Sequence, residues 1–281
     1  MDVPAELTGA FRRRPIDAGK YSVGTVSVVG GSARYSHAPV IAALGARAAG
    51  AGLVQLVVPD ESRIAAGALV PEATFTKLED FCVLPRADVT VVGMGLGVSV
   101  STEAIVSRIL SGAGGRFVVD ADALTVLAAE HGRMSAGIPA KGQEIVLTPH
   151  EDEAARLLGW DRAKVTENRL AAAKEIVGRY GATVILKGSH TLVVSADGRR
   201  VYENLTGNPF MALGGMGDLL SGIVGARWAY LKGEPFLAAA SSAWLHGKAS
   251  DDVVAAGQDP SIVNTAEKVG SLRVRLDEAN G

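Results

Sequence analysis

Phe117-Val118-Val119-Asp120-Ala121-Asp122-Ala123-Leu124-Thr125-Val126-Leu127-Ala128-Ala129-Glu130 carries the fold in miniature. Phe117–Asp120 is a continuous apolar run closed by an aspartate, without polar alternation. Such runs read as strands buried on both faces of a parallel sheet. A helical pattern, Asp122–Glu130, follows at once. Comparable runs occur at Thr25–Val29, Leu53–Val58, Val89–Val92, Ile145–Thr148 and Thr183–Lys187, with helical candidates at Ala38–Gly50, Thr102–Leu110, Glu151–Leu158 and Asn168–Tyr180. The alternation predicts an α/β fold, a central, largely parallel sheet flanked by helices on both faces. Beyond Lys187 the pattern changes. Thr191–Ser195 and Arg200–Asn204 flank Asp197-Gly198, a hairpin signal. Helical patterns follow at Gly217–Leu231 and Pro235–Ala255, with a third near Thr265–Leu276. Leu219, Leu220, Ile223, Val224 and Leu231 define the buried face of the first. With no linker, low-complexity tract or repeat, residues 1–281 are expected to form one domain.

Composition excludes several functions. The 281 residues are 48% hydrophobic and 21% charged, with a net charge of −2, ordinary for a soluble protein and unsuited to broad nucleic-acid binding. Arg12-Arg13-Arg14 is too short to be more than a solvated patch. Cys82 is the single cysteine, so no disulfide framework or cysteine metal site is expected, and its neighbours Phe81, Val83 and Leu84 suggest a buried thiol. No apolar run approaches the roughly 18 residues that a membrane span needs. The opening Met-Asp-Val-Pro lacks a secretory pattern, which leaves the Asn204-Leu205-Thr206 sequon idle and makes the cytoplasm the expected compartment.

The chemistry concentrates in Gly207-Asn208-Pro209-Phe210-Met211-Ala212-Leu213-Gly214-Gly215-Met216-Gly217-Asp218. Glycines at a helix N-terminus leave amides open, and these together with the helix dipole favour phosphate oxygens. Gly214, Gly215, Met216 and Gly217 are thus candidates for an anion hole. Asp218, on the first turn, is expected to be kept ionised by the dipole, beside the anion. The plainer reading is a flexible glycine loop with an acidic cap. Ligands of open parallel sheets bind beyond the carboxyl ends of the strands. Gathered there are Gly30-Gly31-Ser32, Gly93-Met94-Gly95-Leu96-Gly97, Asp120-Ala121-Asp122, Thr148-Pro149-His150 with Glu151-Asp152-Glu153, and Lys187-Gly188-Ser189-His190-Thr191. A P-loop is missing, because Gly247-Lys248-Ala249 fails at both ends. Val98 stands where a dinucleotide fingerprint would need its third glycine, which disfavours a nicotinamide-dependent dehydrogenase.

Other residues admit two readings each. His150 is either a site residue or the cap of the following helix; His37, His190 and His246 are weaker candidates, and His131 reads as surface. No histidine pair has zinc spacing. Asp120 and Asp122 could orient hydrated magnesium or cap the next helix. Lys187-Gly188 could meet a nucleotide or simply form a solvated turn.

Taken in order, these motifs resemble those of the ADP/ATP-dependent NAD(P)H-hydrate dehydratases, a branch of the ribokinase-like fold. The resemblance rests on Gly45-Ala46-Arg47-Ala48-Ala49-Gly50-Ala51-Gly52-Leu53-Val54, Gly93–Gly97, Asp120–Leu124, Thr148–His150 with Glu153–Gly159, Val184–Gly188 and Gly214–Gly222, and covers roughly residues 20–250. It implies a lyase of metabolite repair. ADP, or less readily ATP, would phosphorylate the hydroxyl of the S-form of NADH hydrate or NADPH hydrate. Loss of phosphate would then restore the nicotinamide and release AMP or ADP. By this resemblance Asp218 is the catalytic base. The hydrate contacts Ala38, Gly95, His150 and Asp218, and the nucleotide contacts Lys187, Gly188, Ser189, His190, Thr191 and Gly217. Mg2+ would bridge nucleotide oxygens with few protein ligands, so no resident metal site is expected. The resemblance further implies a homo-oligomer, a tetramer, and a separate NAD(P)H-hydrate epimerase as functional partner, since no epimerase domain is fused here.

Tyr21, His37 and Asp152 depart from the family pattern, as do Phe210 and Leu213, where smaller residues are usual. The last two bear on pocket shape and leave Asp218 and its glycines intact. The alternative is a ribokinase-like vitamin-precursor kinase with a stable phosphorylated product, against which the Thr148–His150 and Asp120–Asp122 motifs argue. A catalytically silent nucleotide sensor would have no need of Asp218.

Overall fold

Continuous apolar runs demand cover on both sides, and the fold supplies it. The computed structural model describes residues 3–79, 86–112, 114–130 and 142–280. Cys82 and His131 lie outside the described residues. The strands are β1 (Thr25–Val29), β2 (Leu53–Val58), β3 (Thr74–Lys77), β4 (Val89–Val92), β5 (Gly115–Val119), β6 (Gln143–Leu147), β7 (Thr183–Leu186), β8 (Thr191–Val194) and β9 (Val201–Asn204). They form one sheet in the order β3-β2-β1-β4-β5-β6-β7-β8-β9. Pairing is parallel from β3 through β7 and antiparallel across β7, β8 and β9, so the Asp197-Gly198 hairpin forms as expected.

The described helices are α1 (Ala38–Ala48), α2 (Glu61–Leu69), α3 (Val100–Ser111), α4 (Asp122–Glu130), α5 (Glu151–Leu158), α6 (Arg162–Glu167), α7 (Arg169–Tyr180), α8 (Met216–Leu231), α9 (Pro235–Ala255) and α10 (Ile262–Ala279). Side chains alternate across the sheet. Val28, Val91, Val118, Val146 and Ile185 join one core with α1, α8, α9 and α10. Val29, Val92, Val119, Leu147 and Leu186 join the other with α3, α4, α5 and α7. Strand β3 and helices α2 and α6 are additions to the sequence expectation. All four β3 residues are exposed at the sheet edge, so no burial pattern marks them.

Helix α8 is buried nearly all round, as a helix apolar on every side must be. Its first half lies against α1 at very short range. A Cβ at Gly222 would land on the Ala42 carbonyl, and one at Gly45 on the Leu219 carbonyl. Only glycine at those two positions permits this approach, which fixes where the head of α8 sits relative to the strand ends.

Candidate active site

The glycine turn forms because Gly215 can take φ 96°, a left-handed conformation that L side chains rarely adopt. The turn ends as helix α8 begins, and Leu219 makes the first helical bond, to the Gly215 carbonyl at 2.9 Å. The expectation of four free amides needs one correction. The Met216 amide donates to the Leu213 carbonyl at 3.2 Å, because the turn closes on itself there. Gly214, Gly215, Gly217 and Asp218 keep amides without a backbone partner among the described residues. Those amides remain available to an anion at the positive end of the helix.

Beside this turn opens a cleft of about 650 Å³. Lys187, Gly188, Ser189, His190, Thr191 and Gly217 all line it, so the structure brings the whole expected nucleotide set to one place. The segment 204–209 forms the facing wall. Its position is held from α9: the Gly207 amide and the Asn208 Nδ2 donate to Asp251 at 2.9 Å each, and Asn208 also reaches Ser250 Oγ at 3.0 Å. His246 lines the same cleft as a buried ring, with burial pushing its pKa down to about 4. The hydrate set Ala38, Gly95, His150 and Asp218 does not line this cleft. Ala38 begins α1, and a Cβ at Gly95 would come within 3.1 Å of the Ala38 Cβ, so these two are neighbours.

Beneath Asp218 lies a group of charges that the strand order assembles. Asp120 follows β5, His150 and Glu153 follow β6, and Lys187 follows β7. Neighbouring strands are about 4.8 Å apart, so the Lys187 and Asp120 side chains reach toward each other across two strand spacings of about 10 Å. Lys187 Nζ donates to Asp120 Oδ1 at 2.9 Å and lies 3.7 Å from Glu153 Oε2. Ser221 Oγ donates to Asp120 Oδ2 at 2.6 Å, and Thr148 Oγ1 lies 3.4 Å from Ser221 Oγ. A Cβ at Gly217 would stand 3.2 Å from Lys187 Nζ, which places the ammonium directly under the glycine turn. Lys187 is therefore a charge partner in the acidic group, not a solvated turn residue.

His150 caps α5. Its Nδ1 accepts from the Asp152 and Glu153 amides at 3.1 and 3.4 Å, and Glu153 Oε2 accepts from the His150 amide at 2.8 Å. Accepting at Nδ1 leaves the ring proton on Nε2, which faces Glu153 Oε1 at 3.5 Å. The capping reading of Asp120 and Asp122 is overturned. Ala121 takes φ 51°, and Asp122 Oδ2 accepts from the Gly97 amide at 2.7 Å while Asp120 is held by Lys187 and Ser221.

The charges shift one another. Burial opposes ionisation of Asp120, yet the Lys187 charge and hydrogen bonds from Ser221, Lys187 and Thr148 hold it below the usual carboxylate range. Burial would strip Lys187 of its proton, but Asp120 and Glu153 hold it above its ordinary value. Glu153 is raised, first by burial and then by Asp120, against the pull of Lys187. For Asp218 the expectation that the helix dipole keeps it ionised is corrected. Burial first, then the charges of Asp120, Glu153 and Asp122, push it up to about 7, with Lys187 opposing. A carboxyl balanced near neutrality can take a proton from a hydroxyl. Glu153 and Ser221 gain their place here through tertiary contact; the Thr-Pro-His-x-x-Glu spacing signalled the first and nothing in the sequence signalled the second.

A glycine turn at a helix head, a buried carboxyl beside it and a cleft at the sheet's carboxyl edge mark a ribokinase-like fold. A ribokinase-like superfamily protein from Enterococcus faecalis superposes with a TM-score of 0.84 and 26% identity, covering 96% of this chain and 94% of that one. The ADP/ATP-dependent NAD(P)H-hydrate dehydratase of Bacillus subtilis, co-crystallised with ATP/Mg2+, shares the fold with a TM-score of 0.85 and 23% identity over 98% of this chain and 99% of its own.

The family model for NAD(P)H-hydrate dehydratase matches residues 26–267, and the chain belongs to that family. The ADP-dependent (S)-NAD(P)H-hydrate dehydratase of Neisseria meningitidis is 41% identical over 246 residues, 86% of this chain and 81% of the relative. Other curated relatives are named bifunctional NAD(P)H-hydrate repair enzymes, and the chain spans about half their length: 49% of the one from Pyrobaculum aerophilum and 47% of the one from Moorella thermoacetica.

Proposed function

We propose that this protein dehydrates the S-form of NADH hydrate and NADPH hydrate, using ADP in preference to ATP. The observation that carries this reading is Asp218, a carboxyl at about 7, set one residue beyond a cleft that holds every expected nucleotide contact. Asp218 takes the proton of the hydrate hydroxyl as the hydroxyl oxygen bonds to the terminal phosphorus of the nucleotide and the bond from that phosphorus to the bridging oxygen breaks, the shortened nucleotide departing with that oxygen. The open amides of the glycine turn receive the negative charge on the transferring group. Phosphate then departs with the C–O bonding pair, the adjacent carbon gives up a proton, and the ring double bond returns. AMP leaves when ADP is the donor. Identity with the ADP-dependent Neisseria relative supports the donor preference.

Phosphoryl transfer from a nucleotide calls for magnesium. Among the described residues no three metal-type side chains cluster, and both oxygens of Asp120 and Oδ2 of Asp122 accept hydrogen bonds. Such a site fits an ion that arrives on nucleotide oxygens, where it would neutralise phosphate charge. Lys187 and the glycine amides supply the chain's own positive charge there.

A homotetramer, a separate epimerase partner, a single domain and a cytoplasmic location complete the proposal. The bifunctional names of relatives support the epimerase link. No described helix is long and apolar enough to cross a membrane. Purified protein incubated with NADH hydrate, magnesium and either nucleotide is expected to restore the near-ultraviolet absorbance of the reduced nicotinamide, fastest with ADP. Failure with both donors refutes the reading, and a stable phosphorylated hydrate would point to a kinase.

A further inference from the structure

Asp120 is 1% exposed and Ser221 is fully buried, and neither lines the cleft. A buried carboxylate is costly unless it is paired and hydrogen-bonded. Both oxygens of Asp120 are satisfied, one by Lys187 and one by Ser221. Ser221 follows Asp218 by three residues on α8, so both project from one face of the helix. The hydroxyl of Ser221 therefore fixes Asp120 relative to Asp218, and Asp120 in turn fixes the Lys187 ammonium under the Gly217 backbone.

We propose that Asp120 is a positioning residue, oriented by Ser221 on the Asp218 face of α8, which anchors the Lys187 ammonium beneath the glycine turn. Among the described residues, the charged groups that act on Asp218 are Asp120 at the end of β5, Asp122 on α4, Glu153 on α5 and Lys187 beyond β7. Only Lys187 is cationic, and Asp120 binds it most closely. Removing the Asp120 charge acts twice in one direction. A repelling carboxylate disappears, and Lys187 is left to the remaining carboxylates, Asp218 among them. Asp218 then ionises at lower pH.

The inference rests on Asp218 being the base for its kinetic consequence, so two readouts are needed. Carbon-13 carboxyl NMR, with the Asp218 resonance assigned from Asp218→Asn, is expected to show its midpoint moved down by about one pH unit in Asp120→Asn. The acid limb of kcat/KM for NADH hydrate with ADP should move with it. Ser221→Ala preserves every charge and removes the donor that orients Asp120. In that variant kcat is expected to fall about tenfold with the KM for ADP unchanged. An unmoved Asp218 midpoint in folded Asp120→Asn overturns the inference. So does full kcat in Ser221→Ala, the arm that decides if Asp120→Asn fails to fold. A displaced midpoint in a protein with no dehydratase activity would sustain the positioning role and refute the proposed function.

Discussion

Replacing Asp218 with asparagine should inactivate this protein and, above neutrality, make it more stable. The side chain is held at about 7 in the folded chain, against an ordinary value of 3.8. The native state thus keeps a proton that the unfolded state gives up. A group raised in this way supports folding below its unfolded value, and that support is lost as pH rises through its folded value. From these two values the loss amounts to about 1.7 kcal/mol at pH 5 and about 4.3 kcal/mol at pH 8. The difference of about 2.6 kcal/mol disappears in Asp218→Asn, and partial solvent access at the site trims it to about 2 kcal/mol. For a chain of this size that is about 4 °C in Tm. Melting curves of both proteins at pH 5 and pH 8 measure it: the variant's advantage should be about 4 °C larger at pH 8. Comparing the pH values removes any constant effect of the amide. In parallel, kcat/KM of the parent should rise tenfold per pH unit up to about 7 and then level, while the variant loses about 10²–10⁴-fold. An equal Tm difference at both pH values, or activity within tenfold of the parent, would refute the account of Asp218.

Three further outcomes follow from the same geometry. Gly222→Ala drives a methyl into the Ala42 carbonyl, so α1 and α8 must separate; a loss of about 3 kcal/mol, or about 6 °C in Tm, is expected. Lys187→Met leaves Asp120 and Glu153 without their cation and should cost about 3–5 kcal/mol at pH 8 by urea denaturation. The cost should shrink at pH 5, where Asp218 carries a proton. Asp251→Ala releases the Gly207 and Asn208 tether of the cleft wall, raising the KM for ADP about fivefold with little change in kcat.

The layered architecture was legible along the chain because burial on both faces of a strand leaves a local record. Val26, Val28 and Val29 fill one short run, the first two serving one core and the third the other. Pro235–Ala255 reads as one helix from its proline start, and it is one. The glycine turn and Asp218 were legible too, since Gly215 at φ 96° has few substitutes. Strand β3 left no trace, because its edge position imposes no apolar residues on Thr74–Lys77.

Sequence by itself determined the α/β layering and the glycine turn, because each depends on neighbours in the chain or on a local backbone requirement. The proton affinity of Asp218 was decided only by tertiary structure. A local reading sees a carboxylate on the first turn of a helix, whose dipole favours ionisation. The fold adds burial and three carboxylates delivered from β5, α4 and α5, and admits one ammonium, 2.9 Å from Asp120. Asp120 and Ser221 stand 101 residues apart, so no spacing along the chain could announce their contact. Electrostatic energy depends on distance in space and on the exclusion of water, and both are set when the strand ends and the head of α8 come together.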